Sequence, residues 1–322
     1  MVVAPNAKDR NADRQRGYDS GGTMPPREIK LNPSFALAFN DRGLESTSKG
    51  EFDKAIADYN SAIQINPNYA AAFYNRGNAF YGKRDLNRAL ADFDAAIKLD
   101  PKSALAYYDR GLTRYELRDY DRAVADFDAA IKADPKDAFA YYNRGLTQYA
   151  RRDFDRAIAD FSQAIKLDGK IALAFHNRGN AYARQRDYDK AIADLDQAIK
   201  LDGNDATAFN DRGLAYGAKG DLDRAIKDFD QAVSIDAKNA PAYTNRGVAF
   251  SVKGDVERAL ADYQQAIKLN PSYAFAFYNR GNAYYDKGDF DRAIESYNEA
   301  VKLSPADPLI YHNRGNAYAN KS

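Results

Sequence analysis

The chain has 322 residues, 45% hydrophobic and 29% charged, with 47 basic side chains against 46 acidic and a formal net charge of +1. That near balance argues against a nucleic-acid binder, which carries a basic excess on one face, and no run approaches 18 apolar residues, so no membrane span is expected. The absence of cysteine excludes disulfides, thiol catalysis and thiolate metal sites.

Residues 1–31 read as a polar tail containing Pro5, Gly17, Gly21, Gly22, Pro25 and Pro26. Such a segment buries too little surface to offset its ordering entropy, so a flexible or loosely docked tail is expected. The first ten residues lack the basic segment and apolar stretch of a secretory signal. The compartment stays open: the cytoplasm is preferred for a soluble chain, with the periplasm or secretion as the alternative if a signal has been removed.

From residue 32 a pattern recurs. An Arg-Gly pair stands at Arg42-Gly43, Arg76-Gly77, Arg110-Gly111, Arg144-Gly145, Arg178-Gly179, Arg212-Gly213, Arg246-Gly247, Arg280-Gly281 and Arg314-Gly315, each 34 residues after the last. Eight full repeats follow at 36–69, 70–103, 104–137, 138–171, 172–205, 206–239, 240–273 and 274–307, and a ninth supplies its first helix from 308. In the first half of a repeat Phe73, Arg76, Gly77 and Phe80 fall at spacings of three and four, as do Ala89, Leu90, Phe93, Ala96 and Ile97 in the second, so both halves are helical. The intervening turn ends in an acidic residue such as Asp85 or Asp119, which suits the N-cap of the second helix. Pro67, Pro101, Pro135, Pro271 and Pro305 close repeats. Gly77 and Ala89, repeated throughout, are expected to let the two helix axes come close. One such repeat cannot bury its apolar face alone, so the repeats must stack.

This pattern resembles the tetratricopeptide repeat family over residues 32–322. The second repeat carries the family's aromatic, glycine, alanine and proline positions at Phe73, Gly77, Phe80, Ala89, Phe93, Ala96 and Pro101. Two departures run through every copy: the family's Leu before Gly is Arg, and its first aromatic, often Trp, is Phe or Tyr. The resemblance implies an all-α solenoid, a right-handed superhelix of helix-turn-helix units of about one turn, with the first helices lining a concave groove.

A buried Arg needs a partner. The second helices offer Asp58, Asp92, Asp126, Asp160, Asp194, Asp228 and Asp262, with Ser296 breaking the series. Each Asp can pair within its own repeat, leaving Arg280 without an Asp, or with the next repeat's Arg, leaving Arg42 and Arg314 without one. Pairing to the next repeat is preferred.

The second, fifth, ninth and twelfth positions of the first helices share one stripe, which the resemblance places on the groove wall. It carries Tyr74 and Tyr81, Tyr108 and Tyr115, Tyr142 and Tyr149 in repeats two to four and Tyr278 and Tyr285 in repeat eight. Tyrosine suits recognition, with a large apolar face and a hydroxyl; alternatively these rings only cover neighbouring helices. The sixth position is always Asn or Asp, including Asn75, Asp109, Asn143, Asn177, Asn245 and Asn279. An amide donates and accepts, so this row can hold an extended peptide backbone, similar to the asparagine ladder of family members that present substrates to glycosyltransferases; it can equally bond to the next helix. These tyrosines and position-six residues are the candidate peptide-binding residues. The stripe lacks the Lys or Arg of the family's chaperone-tail clamp. At the inter-helix turn Arg84, Arg118, Arg152 and Arg186 replace the Gly of Gly50, Gly220, Gly254 and Gly288, and a solvated edge is preferred over an anion site.

His176 and His312 are four repeats apart, and the Asp-x-Asp pairs lack the rest of a calcium loop. No phosphate loop or nucleophile motif appears, so no metal, cofactor or catalysis is expected. Three functions compete: a scaffold binding a protein or peptide in the groove; a module stacking end to end into oligomers through an open face near Tyr311, Ala317 and Tyr318; and the substrate-docking arm of a larger enzyme complex.

Overall fold

A computed structural model describes residues 33–321, all helices and connecting turns. The expected tail at residues 1–31 lies outside the described residues. The chain divides into two compact units, one ending at Gly169 and the other starting at Lys170.

The first unit holds four helix pairs: α1 (Pro33–Ser48) with α2 (Phe52–Ile65), α3 (Ala70–Gly82) with α4 (Leu86–Leu99), α5 (Ala104–Glu116) with α6 (Tyr120–Ala133), and α7 (Ala138–Ala150) with α8 (Phe154–Leu167). The second holds α9 (Ala172–Arg184) with α10 (Tyr188–Leu201), α11 (Ala206–Ala218) with α12 (Leu222–Ile235), α13 (Ala240–Val252) with α14 (Val256–Leu269), α15 (Ala274–Asp286) with α16 (Phe290–Leu303), and finally α17 (Pro308–Lys321). Within each unit a first helix packs on its own second helix, and that helix packs on the first helix of the next repeat. The architecture is the expected all-α solenoid of tandem helix pairs. No described helix is long and apolar enough to cross a membrane.

The helix boundaries follow local chemistry. Asp85 caps α4 by accepting from Arg88 N at 3.1 Å, and Asp153, Asp187, Asp221, Asp255 and Asp289 cap their second helices likewise. Asp119 holds the same position without that bond and pairs instead with Arg122. Between the helices one residue adopts a left-handed conformation. It is Gly50, Gly220, Gly254 and Gly288, but Arg84, Arg118, Arg152 and Arg186 take it at φ 60–65°, where a Cβ crowds the following carbonyl.

The repeated glycine makes room for a ring rather than for the expected alanine. A Cβ on Gly77 would lie 2.8 Å from Phe93 Cε1, and Gly43, Gly111, Gly145, Gly213, Gly247 and Gly281 meet Tyr59, Phe127, Phe161, Phe229, Tyr263 and Tyr297 similarly. At Gly179 no ring stands in the way, and the nearest atoms are Ala191 O and Leu195 Cγ, both at 3.1 Å; at Gly247, Ala259 O lies 3.2 Å away beside the Tyr263 ring.

The arginine before each glycine pairs within its own repeat, which corrects the expected pairing to the next. Arg76 donates from Nε and Nη2 to Asp92 at 2.7 and 2.6 Å. Arg42, Arg110, Arg144, Arg178, Arg212 and Arg246 grip Asp58, Asp126, Asp160, Asp194, Asp228 and Asp262 in the same way. Nη1 reaches the preceding repeat at a different residue, two positions after its Asp: Asn60 from Arg76, Asp94 from Arg110, Asp128 from Arg144, Asp196 from Arg212 and Asp230 from Arg246. Arg280 bonds Ser296 Oγ at 3.1 Å and Gln264 Oε1 at 2.7 Å. Each of these guanidiniums also lies over the ring three residues earlier, such as Phe73 under Arg76 at 5.4 Å and Tyr141 under Arg144 at 5.5 Å. Both departures from the family pattern therefore serve one contact, a cation held over an aromatic face and bonded to two repeats.

Candidate peptide-binding surface

In most repeats the sixth position of a first helix pairs with the fifth position of the preceding first helix. Asn75 Nδ2 donates to Asn40 Oδ1 at 2.8 Å, the Tyr74 hydroxyl donates to Asp109 at 2.6 Å, and Asn143 Nδ2 donates to the Tyr108 hydroxyl at 2.7 Å. In the second unit Asn245 donates to Asn210 at 2.9 Å and Asn313 to the Tyr278 hydroxyl at 3.0 Å. Asn177 and Asn279 bond the carbonyl four residues back, Leu173 O and Phe275 O. Where these bonds form, Asn75, Asp109, Asn143 and Asn245 link successive first helices, the second of the two roles open to the row from sequence. The hint was the pairing 35 residues apart of a donor with an acceptor: Tyr74 with Asp109, His176 with Asp211.

His176 was not among the candidate residues. It is 7% exposed and lies between two carboxylates, with Nε2 2.8 Å from Asp211 and Nδ1 3.2 Å from Asp205. Burial disfavours the imidazolium, but the hydrogen bonds to Asp205 and Asp211 outweigh it and lift the pKa to about 9. His176 is therefore a cation at neutral pH. Asp205, which also caps α11 through Thr207 N and Ala208 N, is held below the usual carboxylate range.

The tyrosines divide into two layers. Those at the fifth position form the floor. Tyr108 and Tyr142 are each 1% exposed, their rings 5.8 Å from Phe127 and Phe161, and Asn143 is equally buried. This removes Tyr108, Tyr142 and Asn143 from the accessible surface, because the fifth position points into the seam with the second helix. Tyr74 and Tyr278 are half-buried over Phe93 and Tyr297. The twelfth-position rings Tyr81, Tyr115, Tyr149 and Tyr285 are all half-buried. Tyr115, Tyr149 and Tyr285 lean on Tyr120, Phe154 and Phe290 at 5.3–5.5 Å, while the Tyr81 hydroxyl donates to Glu116, which also pairs with Arg84. Asn75, Asp109, Asn177, Asn245 and Asn279 are half-buried between these layers.

In the second unit the same face opens into a cleft of about 350 Å³ lined by Asn282, Tyr285, Asp286, Tyr297, Asn313 and Asn316. The Tyr297 hydroxyl donates to Asn282 Oδ1 at 2.8 Å, and burial pushes its pKa up. Among the described residues no group of three or more His, Asp or Glu is placed to hold a metal ion.

Models of the tetratricopeptide repeat match residues 43–84, 74–138, 108–171, 176–241, 252–288 and 281–322. No curated protein matches the chain. Among solved structures it is similar to a tetratricopeptide repeat protein from Parabacteroides merdae (17% identity, TM-score 0.63, 77% of this chain and 98% of that one). It is also similar to the APC/C hetero-tetramer Cut9–Hcn1 (18% identity, TM-score 0.61), covering 83% of this chain but only 52% of that one. A third is pilF of Pseudomonas aeruginosa (16% identity, TM-score 0.58, 67% and 96%). At these identities the likeness is one of fold, and it agrees with the 34-residue register, the glycine sockets and the helix pairs: the chain belongs to the tetratricopeptide repeat family.

Proposed function

We propose that the chain is a non-catalytic scaffold that holds a protein or peptide segment on the first-helix face of repeats two to four. The observation that carries this is the row Tyr81, Tyr115 and Tyr149, one half-buried ring per repeat on a rigid helix. The equivalent positions in repeats five to seven are Ala183, Gly217 and Ser251, so the fold does not require a ring there. Rings fixed by packing beneath them present apolar area at little entropic cost. The buried Tyr108, Tyr142 and Asn143 fix that floor rather than touch the partner. Cut9–Hcn1, similar in fold, is a hetero-tetramer.

The test uses a displayed library of random peptides, selected on the whole chain and on a variant carrying Tyr115→Ala and Tyr149→Ser, substitutions that copy Ala183 and Ser251. The chain has no tryptophan, so one tryptophan placed in a selected peptide reports binding by its fluorescence. Enrichment by the parent and loss of binding by the variant are expected. Equal binding by both overturns the assignment. End-to-end assembly would instead involve the terminal repeats, and concentration-dependent light scattering distinguishes it.

A further inference from the structure

The turn after a first helix passes through one left-handed residue. Gly50, Gly220, Gly254 and Gly288 supply it in repeats one, six, seven and eight, so the fold can run this turn on glycine. In the first unit Arg84, Arg118 and Arg152 hold it instead, at φ 63°, 60° and 65°. A side chain is strained there, and strain kept where glycine would serve marks a side chain in use. All three arginines are exposed. They fall in repeats two to four, each three residues after Tyr81, Tyr115 or Tyr149, so the turn charge and the half-buried ring occur together.

The second repeat shows what a guanidinium at this turn can hold. Arg84 Nη1 pairs with Glu116 Oε2 at 2.5 Å, and the Tyr81 hydroxyl donates to Oε1 of the same carboxylate. Ring hydroxyl and turn arginine thus take one oxygen each, and the carboxylate comes from the last residue of α5. One repeat on, Tyr115 and Arg118 supply both donors again, but the last residue of α7, in the register of Glu116, is Ala150. Among the described residues no side-chain hydrogen bond or ion pair engages the Tyr115 hydroxyl or the Arg118 guanidinium. The acids closest in sequence are taken, Asp119 by Arg122 and Asp121 by Arg151.

We infer that the Tyr115 hydroxyl and the Arg118 guanidinium receive one carboxylate of the bound segment, an Asp or Glu side chain in the place that Glu116 fills one repeat earlier. Ala150 contributes only a methyl group there, so the carboxylate must come from outside the chain. Both donors make charge-assisted hydrogen bonds to it. The inference rests on the tyrosine face as the binding surface and adds its chemistry: the partner is a peptide segment that is acidic where it crosses repeats three and four. It departs from the solvated edge that the sequence favours at this turn.

The probes are peptides selected on the whole chain from a displayed random library, synthesised with an amidated C-terminus and one tryptophan, and titrated by fluorescence. Each Asp or Glu in them is changed in turn to its amide. One such change is expected to weaken binding by about tenfold or more, because a charge-assisted hydrogen bond is lost. Arg118→Gly copies Gly220 and leaves thermal stability undiminished, yet it binds the acidic peptide and its amide alike. Ala150→Glu copies Glu116, supplies the carboxylate from within and also removes the preference. Peptides that need the rings, as judged by the Tyr115→Ala, Tyr149→Ser variant, but are indifferent to their own acidic residues overturn this inference and leave the tyrosine face standing. An amide penalty that persists in both Arg118→Gly and Ala150→Glu overturns it as well, since the carboxylate is then read elsewhere. No selected peptide, or binding untouched by loss of the rings, overturns the tyrosine face and this inference with it.

Discussion

Removing the Asp160 carboxylate probes the arginine node most directly. Arg144 donates to it at 2.9 and 2.6 Å and to Asp128 at 2.6 Å; the Asp160 side chain is 8% exposed and that of Arg144 22%. Losing one partner of a fully buried ion pair costs about 3–5 kcal/mol, while exposed pairs contribute about 0.2–1 kcal/mol. Arg144 keeps Asp128 and some solvent, so Asp160→Ala is expected to cost about 2 kcal/mol, between those limits. Burial raises the Asp160 carboxyl above its usual range in spite of Arg144, so the loss comes mainly from leaving Arg144 under-partnered. It follows that replacing both residues by leucine costs less than Asp160→Ala alone. Urea denaturation followed by circular dichroism measures the total. Hydrogen exchange in α7 and α8 localises it, as repeat arrays open piecewise. The control is Asp121→Ala, whose side chain is 83% exposed in its pair with Arg151. If Asp160→Ala loses no more than that control, or if the double leucine variant is the worse of the two, the reasoning fails.

Three further outcomes are expected. The folded pKa of His176, about 9, lies above its unfolded value of 6.5. Its contribution is therefore fully present below pH 6.5 and lost as pH rises through 9, on the order of 3 kcal/mol; urea midpoints between pH 6.5 and 9.5 should fall for the parent and stay flat for His176→Asn, and parallel curves refute this. Arg118→Gly relieves a left-handed residue at φ 60° and should stabilise by up to about 1 kcal/mol, less the chain entropy added to the unfolded state; a lower Tm counts against it. Gly77→Ala forces a Cβ within 2.8 Å of the fully buried Phe93 ring, an overpacking cost of about 1–3 kcal/mol that exceeds the gain in helix propensity. Its midpoint in urea should therefore drop.

The helices, their pairing and their turns were legible in the sequence because each rests on chemistry within a few residues. Apolar spacing of three and four defined the helices, Asp85 and its equivalents defined their starts, and Pro67, Pro101 and Pro135 marked the repeat ends. Which Asp meets which Arg was not legible. Asp58 lies 16 residues from Arg42 and 18 from Arg76, and only the packing of the helix pair brings the first together, leaving Nη1 for Asn60. The asparagine row and the tyrosines show the same limit. Spacing puts Tyr74, Tyr81, Tyr108 and Tyr115 on one stripe, but the packing buries Tyr108 and leaves Tyr74, Tyr81 and Tyr115 half-buried. It also sets the sixth-position amides against the previous helix. Sequence by itself determined the repeating helix hairpin and the residue types along its stripe. Tertiary structure decided which of those side chains are bonded between repeats and which present an accessible face, because that depends on inter-helix geometry with no local signature.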